Sequence, residues 1–112
     1  MEISFQNTKL HRLCCSRAEL RRTYGQRSGD GIAHRLGQLA SVECLDDLGC
    51  LLVRCRLLRT GGRQPRIGVE VEPALHLVVE AVQDGSAQEP RVPVADWKEA
   101  TAVTIIAIET RS

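Results

Sequence analysis

The sequence predicts a single domain of the α/β class, more narrowly an α+β fold with one strand, a helical segment and then four strands. Three observations predict this order. The first residues alternate between polar and apolar, apolar residues between positions 10 and 40 recur at helical spacing, and apolar runs broken by Gly and Pro follow position 54. Because 112 residues can bury one core but not two, we treat residues 1–112 as one domain.

The first two elements are a short strand and a helix. The segment Glu2–Phe5 alternates polar and apolar residues, which is the period of a half-buried strand. Asn7 is a favourable N-cap, because its side-chain oxygen can accept a hydrogen bond from a free amide of the first helical turn. Leu10, Leu13 and Cys14 follow at three- and four-residue spacing. We therefore expect a helix after Asn7.

A second helix is predicted from a capping motif. Ser16 and Glu19 have the spacing of a capping box, in which each side chain accepts a hydrogen bond from the backbone amide of the other residue. The helix should begin near Arg17. It should end at Gly25, because glycine adopts the left-handed conformation of a C-cap without strain from a Cβ.

The third helix is predicted to begin at Asp30, whose carboxylate can cap it. Its apolar face is formed by Ile32, Leu36, Leu39 and Ala40. Asp46, Asp47 and Gly49 then indicate a loop that leaves the helix.

A β-hairpin is predicted around Gly61 and Gly62. Its strands are Cys55–Thr60 and Ile67–Glu72. In the second strand isoleucine and valine alternate with glycine and glutamate, so one face should be buried and the other polar.

Two further strands complete the predicted sheet. Leu75–Val82 is rich in leucine and valine, and Gln83–Pro93 reads as a loop because it contains glycine, serine and two prolines. Thr101–Glu109 is a β-branched run that suits a central strand.

The charge of the chain is unevenly distributed. Through Arg66 there are 12 Lys or Arg and 6 Asp or Glu, whereas from Ile67 onward there are 3 and 8. Nearly all the cations are arginines, which bind phosphate and carboxylate groups at two points, so the basic half is a candidate for contact with nucleic acid or an acidic protein. For the arginines of the predicted helices, a solvated surface is the simpler interpretation.

Composition argues against several classes of protein. No apolar run approaches the ~18 residues needed to span a bilayer, and the N-terminus lacks the regions of a signal peptide. The 5 cysteines are odd in number and contain no C-x-x-C pair, so we expect reduced, mostly buried thiols. No group of carboxylates or histidines has metal-ligand spacing, and we predict a cytoplasmic protein without metal, cofactor or membrane segment.

Four stretches of the chain carry recognisable motifs. They are M-E-I-S-F-x-N-x-K-L-x-x-L-C at the start, L-x-D-L-x-x-L from Leu45, R-C-x-x-L from Arg54 and D-W-x-x-x-T-A-V from Asp96. Together they resemble the HigB-type toxins, or plasmid maintenance killer proteins, of the RelE/ParE superfamily. The first and last motifs are the most specific, and the resemblance covers nearly the whole chain.

The resemblance implies a RelE-like fold, in which an N-terminal strand and helical pair pack on a mixed, largely antiparallel sheet of four to five strands. It also implies the toxin component of a type II toxin-antitoxin system. Such a toxin is a metal-independent endoribonuclease that cleaves mRNA at the ribosome, and a helix-turn-helix antitoxin neutralises it.

Cleavage of RNA by its own 2′-hydroxyl requires a base, an acid and cations that stabilise charge on the phosphate. His76 is the only histidine on the predicted strands, and with Arg63 and Arg56 it forms the candidate catalytic set. Arg63 matches the arginine after the K-G-x-R loop of the family, although the turn here has one extra glycine. The candidates for RNA binding are Arg54, Arg59, Arg66 and Arg111.

The chain departs from the family at the usual proton-transfer positions. The histidine of the R-C-H motif, the arginine before an L-I-F-E run and the D-Y-H-like tail are replaced by Arg56, His76 and Thr110–Ser112. A structural role for His76 is therefore the alternative to a catalytic one. A second hypothesis is a catalytically diverged module that binds an antitoxin or nucleic acid without cleavage, and a third is inhibition of a topoisomerase, as by ParE-type relatives.

Overall fold

The structure is a computed structural model of the chain and describes residues 1–59, 66–82 and 98–110. Within these residues the chain forms three α-helices, one 3-10 helix and five strands. They follow one another as one strand, the helices and then four strands. The predicted order and the α+β class are thus confirmed.

The helical layer follows the first strand directly. It consists of α1 (Thr8–Cys14), α2 (Arg17–Tyr24), α3 (Gln26–Ser41) and a 3-10 helix (Leu45–Leu51). As predicted, Asn7 caps α1, and its Oδ1 accepts a hydrogen bond of 2.8 Å from the amide of Leu10. Gly25 ends α2 with a φ of 91°, a positive value that glycine adopts without strain.

The capping box is formed only in part. The Ser16 hydroxyl accepts a hydrogen bond of 3.2 Å from the amide of Glu19, which starts α2 as predicted. The reciprocal bond is replaced, because the Ser16 amide donates to the carbonyl of Leu13 and the Glu19 carboxylate accepts from Arg22.

Two predictions for the following segment are wrong. Asp30 does not cap α3, because Gly25 is both the last cap of α2 and the first cap of α3, and Asp30 lies inside the helix. Its carboxylate instead accepts from Arg17 and Arg21 at 3.2 and 2.6 Å, which ties α2 to α3. The segment after α3 is not a plain loop, since Asp46, Asp47 and Gly49 lie in the 3-10 helix.

The described strands form a five-stranded sheet in the order β1-β5-β4-β3-β2. Their bounds are β1 Glu2–Phe5, β2 Cys55–Arg59, β3 Arg66–Glu72, β4 Leu75–Val82 and β5 Ala102–Thr110. Strand β1 pairs with β5 in parallel, and the other pairs are antiparallel. The predicted hairpin partners, the mixed character of the sheet and the interior position of β5 are confirmed, whereas the predicted Gly61-Gly62 turn and the 83–93 loop lie outside the described residues.

The helices bury one face of the sheet, which we call the helix-covered face. Its strand residues are apolar and include Ile67, Val69, Leu77, Val79 and Ile105, each fully buried. They belong to one core cluster with Leu20 of α2 and with Ile32 and Leu39 of α3. Of the predicted apolar face of α3, Ile32 and Leu39 are buried and Leu36 is partly buried, but Ala40 is exposed.

The other face of the sheet, here the opposite face, carries Arg56, Gly68, Glu70, His76 and Glu80. No described helix belongs to the layer on this side, because the helices share one core with the other face. Among the described residues, no helix is long and apolar enough to cross a bilayer. All five cysteines are free, as predicted, but the expectation of mostly buried thiols is wrong, because Cys14, Cys44 and Cys55 are only partly buried and Cys15 and Cys50 are exposed.

Candidate functional site

The strand register brings three titratable side chains into one row across the opposite face. Glu70 of β3 is in register with His76 of β4, and His76 is in register with Glu109 of β5. The Nε2 atom of His76 lies 3.6 Å from Oε1 of Glu109, and only 16% of the His76 side chain is exposed. Leu75 and Leu77, its neighbours along the strand, are buried on the helix-covered face, as the strand period predicts.

Two arginines stand beside this row. Arg54 precedes β2, and its carbonyl accepts a hydrogen bond of 2.9 Å from the amide of Glu70, which aligns the two residues. The Nε atom of Arg54 lies 3.9 Å from Oε2 of Glu70, with 88% of the Arg54 side chain exposed. Arg56 is exposed, lies in register with Gly68, and makes no ion pair with another described residue.

These residues line a cavity with a volume of about 200 Å³. Its lining consists of Arg54, Arg56, Leu58, Gly68, Glu70, Glu72, Pro73 and His76. Gly68 lets Leu58 approach closely, because a Cβ at position 68 would stand only 3.1 Å from Leu58 Cδ2. The cavity therefore combines an apolar wall with cations, carboxylates and an imidazole.

The structure brings together some of the predicted site residues but not all of them. Arg54, Arg56 and His76 line the cavity. Arg66 lies on the same face but is not part of the cavity lining, and its Nε atom is 3.4 Å from Oε2 of Glu80. Arg63 and Arg111 lie outside the described residues, as does the side chain of Arg59.

Sequence reasoning missed two carboxylates of the site. Glu70 was predictable, because the alternation of β3 places it opposite Ile67 and Val69 and beside the arginines of the hairpin. Glu109 was not predictable, because its position against His76 depends on the register of β4 and β5, which shifts at an irregularity between Val78 and Val79. No local pattern in the sequence specifies that shift.

The cysteine nearest the site does not offer a nucleophile. Cys55 lies on β2 and packs against the core of the helix-covered face. Burial, partly offset by the charge of Arg35, raises the pKa of its thiol to about 11. The thiol is therefore neutral near pH 7, and only a thiolate is an effective nucleophile.

The arrangement can support proton transfer beside an anionic group. An imidazole is suited to general acid-base work, Glu109 can orient it, and the arginines can contact a phosphate. Within the part of the chain that the structure describes, no three His, Cys, Asp or Glu side chains come together to hold a metal ion. Comparison of the chain with protein-family models, curated proteins and solved structures finds no match.

Proposed function

We propose that the chain is a RelE-like toxin of a type II toxin-antitoxin system, and that the cavity on its opposite face is an RNA-cleaving site. One observation carries the proposal: a partly buried imidazole, His76, lines the same cavity as two arginines, Arg54 and Arg56. The motifs that resemble HigB-type toxins, and the order of one strand, helices and four strands, support it.

In this proposal the phosphodiester is cleaved by the adjacent ribose. The 2′-oxygen bonds to phosphorus while His76 accepts the hydroxyl proton, and Glu109 holds the imidazole and stabilises its positive charge. The bond between phosphorus and the 5′-oxygen breaks, and that oxygen takes a proton from solvent. Arg56 stabilises the charge that develops on the phosphate, because arginine stays protonated and cannot act as the base. The products are a 2′,3′-cyclic phosphate and a 5′-hydroxyl.

The proposal includes a cellular setting. The protein acts in the cytoplasm on mRNA at the ribosome, and a helix-turn-helix antitoxin binds and neutralises it. A short neighbouring gene that encodes such an antitoxin would support this setting.

Induced expression without an antitoxin tests the proposal. Wild-type protein should arrest growth and leave transcripts with 2′,3′-cyclic phosphate ends. His76→Ala should slow cleavage by about 10²- to 10⁴-fold, the usual contribution of a general base, and Arg56→Ala should also relieve the arrest. Thr104→Val is a matched control, because Thr104 lies opposite Glu80, on the same face but outside the cavity lining. Normal growth and intact RNA at a verified level of wild-type protein would refute the proposal.

A second candidate is a module of the same fold that binds RNA or an antitoxin without cleavage. The pairing of charges favours it: among the described cations of the opposite face, Arg54, Arg66 and His76 each face a glutamate, and Arg56 alone does not. A phosphate must compete with those carboxylates. Salt-sensitive RNA binding or tight antitoxin binding, with no cleavage by purified protein and ribosomes, would select this candidate.

A further inference from the structure

Glu70 places a carboxylate in a cavity that also contains two arginines. Its side chain is 35% exposed, and its nearest cation, Arg54, is 3.9 Å away. That distance exceeds the ~2.7–2.9 Å of a charge-assisted hydrogen bond. No described side chain donates a hydrogen bond to the Glu70 carboxylate. Both of its oxygens are therefore open to a ligand.

The other carboxylates near the cavity are already engaged. Both oxygens of Glu72 lie within hydrogen-bonding distance of the Ser28 hydroxyl of α3, at 3.3 and 3.1 Å. Glu80 lies 3.4 Å from Arg66 and does not line the cavity. Glu70 and Glu72 both line the cavity, and of the two only Glu70 has no hydrogen-bond donor among the described side chains.

The mixture of charges restricts the chemistry of that ligand. A carboxylate repels phosphate, so Glu70 favours binding only when the ligand also brings hydrogen-bond donors to it. Arg54 and Arg56 supply the complementary site for an anionic group. A nucleotide has both features, since its phosphate is anionic and its base carries N–H groups.

The size of the cavity indicates which part of the nucleotide enters it. Pockets for whole drug-sized ligands measure about 300–1,000 Å³. The cavity here has about 200 Å³, enough for one nucleobase, so the ribose and phosphate of the same nucleotide would lie at its edge, within reach of His76 and the arginines. The base would lie against the apolar side chains of Leu58 and Pro73.

The hydrogen-bond pattern of Glu70 selects among the bases. The Watson–Crick edge of guanine presents two adjacent donors, which match the two oxygens of a carboxylate. Adenine and cytosine each place an acceptor beside the amino donor, and uracil has one donor between two carbonyl oxygens. Single-stranded RNA exposes these edges, whereas a duplex does not.

We propose that the cavity binds a guanine base of single-stranded RNA through Glu70, with Arg54 and Arg56 at the neighbouring phosphates. This inference rests on the RNA-directed function proposed above and adds a base preference to it. Glu70 is a specificity residue in this scheme and takes no part in proton transfer.

Binding of uncleavable RNA tests the inference separately from catalysis. The probe is a short oligouridine with 2′-O-methyl sugars, which lack the attacking hydroxyl, and with one central guanine. Fluorescence anisotropy compares it with probes that carry adenine, inosine or 7-deazaguanine at that position. Guanine and 7-deazaguanine keep both donors, so probes that carry them should bind at least about 10-fold more tightly than the adenine probe. Inosine lacks the amino group, so the affinity of its probe should lie between those of the guanine and adenine probes.

Two glutamate substitutions localise the preference. Glu70→Gln replaces one acceptor oxygen by an amide donor and should abolish the preference for guanine. Glu80→Gln makes the same change on the same face outside the cavity, so it should alter the affinity for all probes equally. Thermal unfolding of both variants checks that they are folded.

Each outcome is decisive. Equal binding of all four probes by wild-type protein, or a guanine preference that Glu70→Gln leaves unchanged, overturns the inference. Because the inosine comparison uses wild-type protein, it stands even where a variant does not fold. Guanine preference without cleavage of natural RNA supports the inference and contradicts the proposed nuclease function. Cleavage without guanine preference supports the nuclease function and contradicts the inference.

Discussion

The two faces of the sheet are built from the same strands but have opposite chemistry. On β4, Leu77 and Val79 are fully buried in the core, whereas His76, between Leu75 and Leu77, lies beside the carboxylates of the opposite face. Successive residues of a strand point to opposite sides, so one strand can contribute to stability with one face and to binding with the other. The lesson is that substitutions one residue apart should have different kinds of effect.

The segregation has an energetic cause. Moving an ionised group into an apolar interior costs several kcal/mol or more unless it is paired. Among the described residues, no polar or charged side chain is buried by the helical layer or elsewhere. Glu70, His76 and Glu80 therefore lie on the opposite face, within reach of a ligand, whereas Glu72 at the end of β3 accepts a hydrogen bond from Ser28 of α3.

The largest expected effect comes from Leu77→Ala, compared with His76→Ala. Leu77 is fully buried, and removal of a buried leucine side chain costs about 2–5 kcal/mol of unfolding free energy. His76→Ala removes a side chain that is 16% exposed but lies outside that core, and it should cost about 1 kcal/mol, the usual loss for a point substitution. Urea unfolding of both variants measures the difference. Equal losses would mean that the opposite face contributes to the core as well.

Glycine substitutions give the next largest difference between the two regions. A Cβ at Gly29 of α3 would stand 2.6 Å from the backbone nitrogen of Arg21 in α2, so the helices must separate in Gly29→Ala, at about 1–3 kcal/mol. A Cβ at Gly68 would meet only the flexible end of Leu58, at 3.1 Å.

Gly68→Ala should therefore change the unfolding free energy by less than about 1 kcal/mol, since Leu58 can move and alanine lowers the entropy of the unfolded chain. Thermal and urea unfolding compare the two variants. A Gly29→Ala protein as stable as wild type would show that α2 and α3 are not in rigid contact.

The smallest expected effect concerns the exposed ion pairs of the helical layer. The Arg21 guanidinium, which is hydrogen-bonded to Asp30, holds the pKa of that carboxyl below its usual range, and Arg17 adds to the effect. A lowered pKa in the folded state gives stability that is present near neutral pH and is lost as the pH falls through that pKa.

Asp30→Asn should therefore lower the Tm slightly at pH 7, and the difference from wild type should shrink in acid. Melting curves from pH 7 to acid pH measure it. The exposed pair Arg22–Glu19 provides the control, since Glu19→Gln removes a contact within α2 alone. A difference for Asp30→Asn that grows toward acid pH would contradict the pairing.

Elements with strong local signals were predicted closely. The alternation of Glu2–Phe5 and the leucine- and valine-rich run Leu75–Val82 gave strands with the observed bounds, and Asn7 and Ser16 marked the starts of α1 and α2. The start of α3 was missed because Asp30 is a good N-cap in isolation. In the fold, Gly25 turns the chain within one residue, and Asp30 is used for contacts with α2.

Some residues of the candidate site could be predicted from the sequence and others could not. Arg54, Arg56 and His76 could be named in advance because Arg56 and His76 belong to predicted strands and Arg54 directly precedes one of them. The position of Glu109 beside His76 could not be predicted, because β4 and β5 pair across an irregularity that no local pattern specifies.

The sequence by itself determined which residues alternate, where α1 and α2 begin and that the basic residues mostly precede the acidic ones, because these properties depend on neighbours within a few positions. Only the tertiary structure decided that β1 pairs in parallel with β5, that Glu70, His76 and Glu109 form one row, and that Asp30 joins two helices. Those contacts join segments that are distant along the chain. Their register is set by how the whole core packs, which no single stretch encodes.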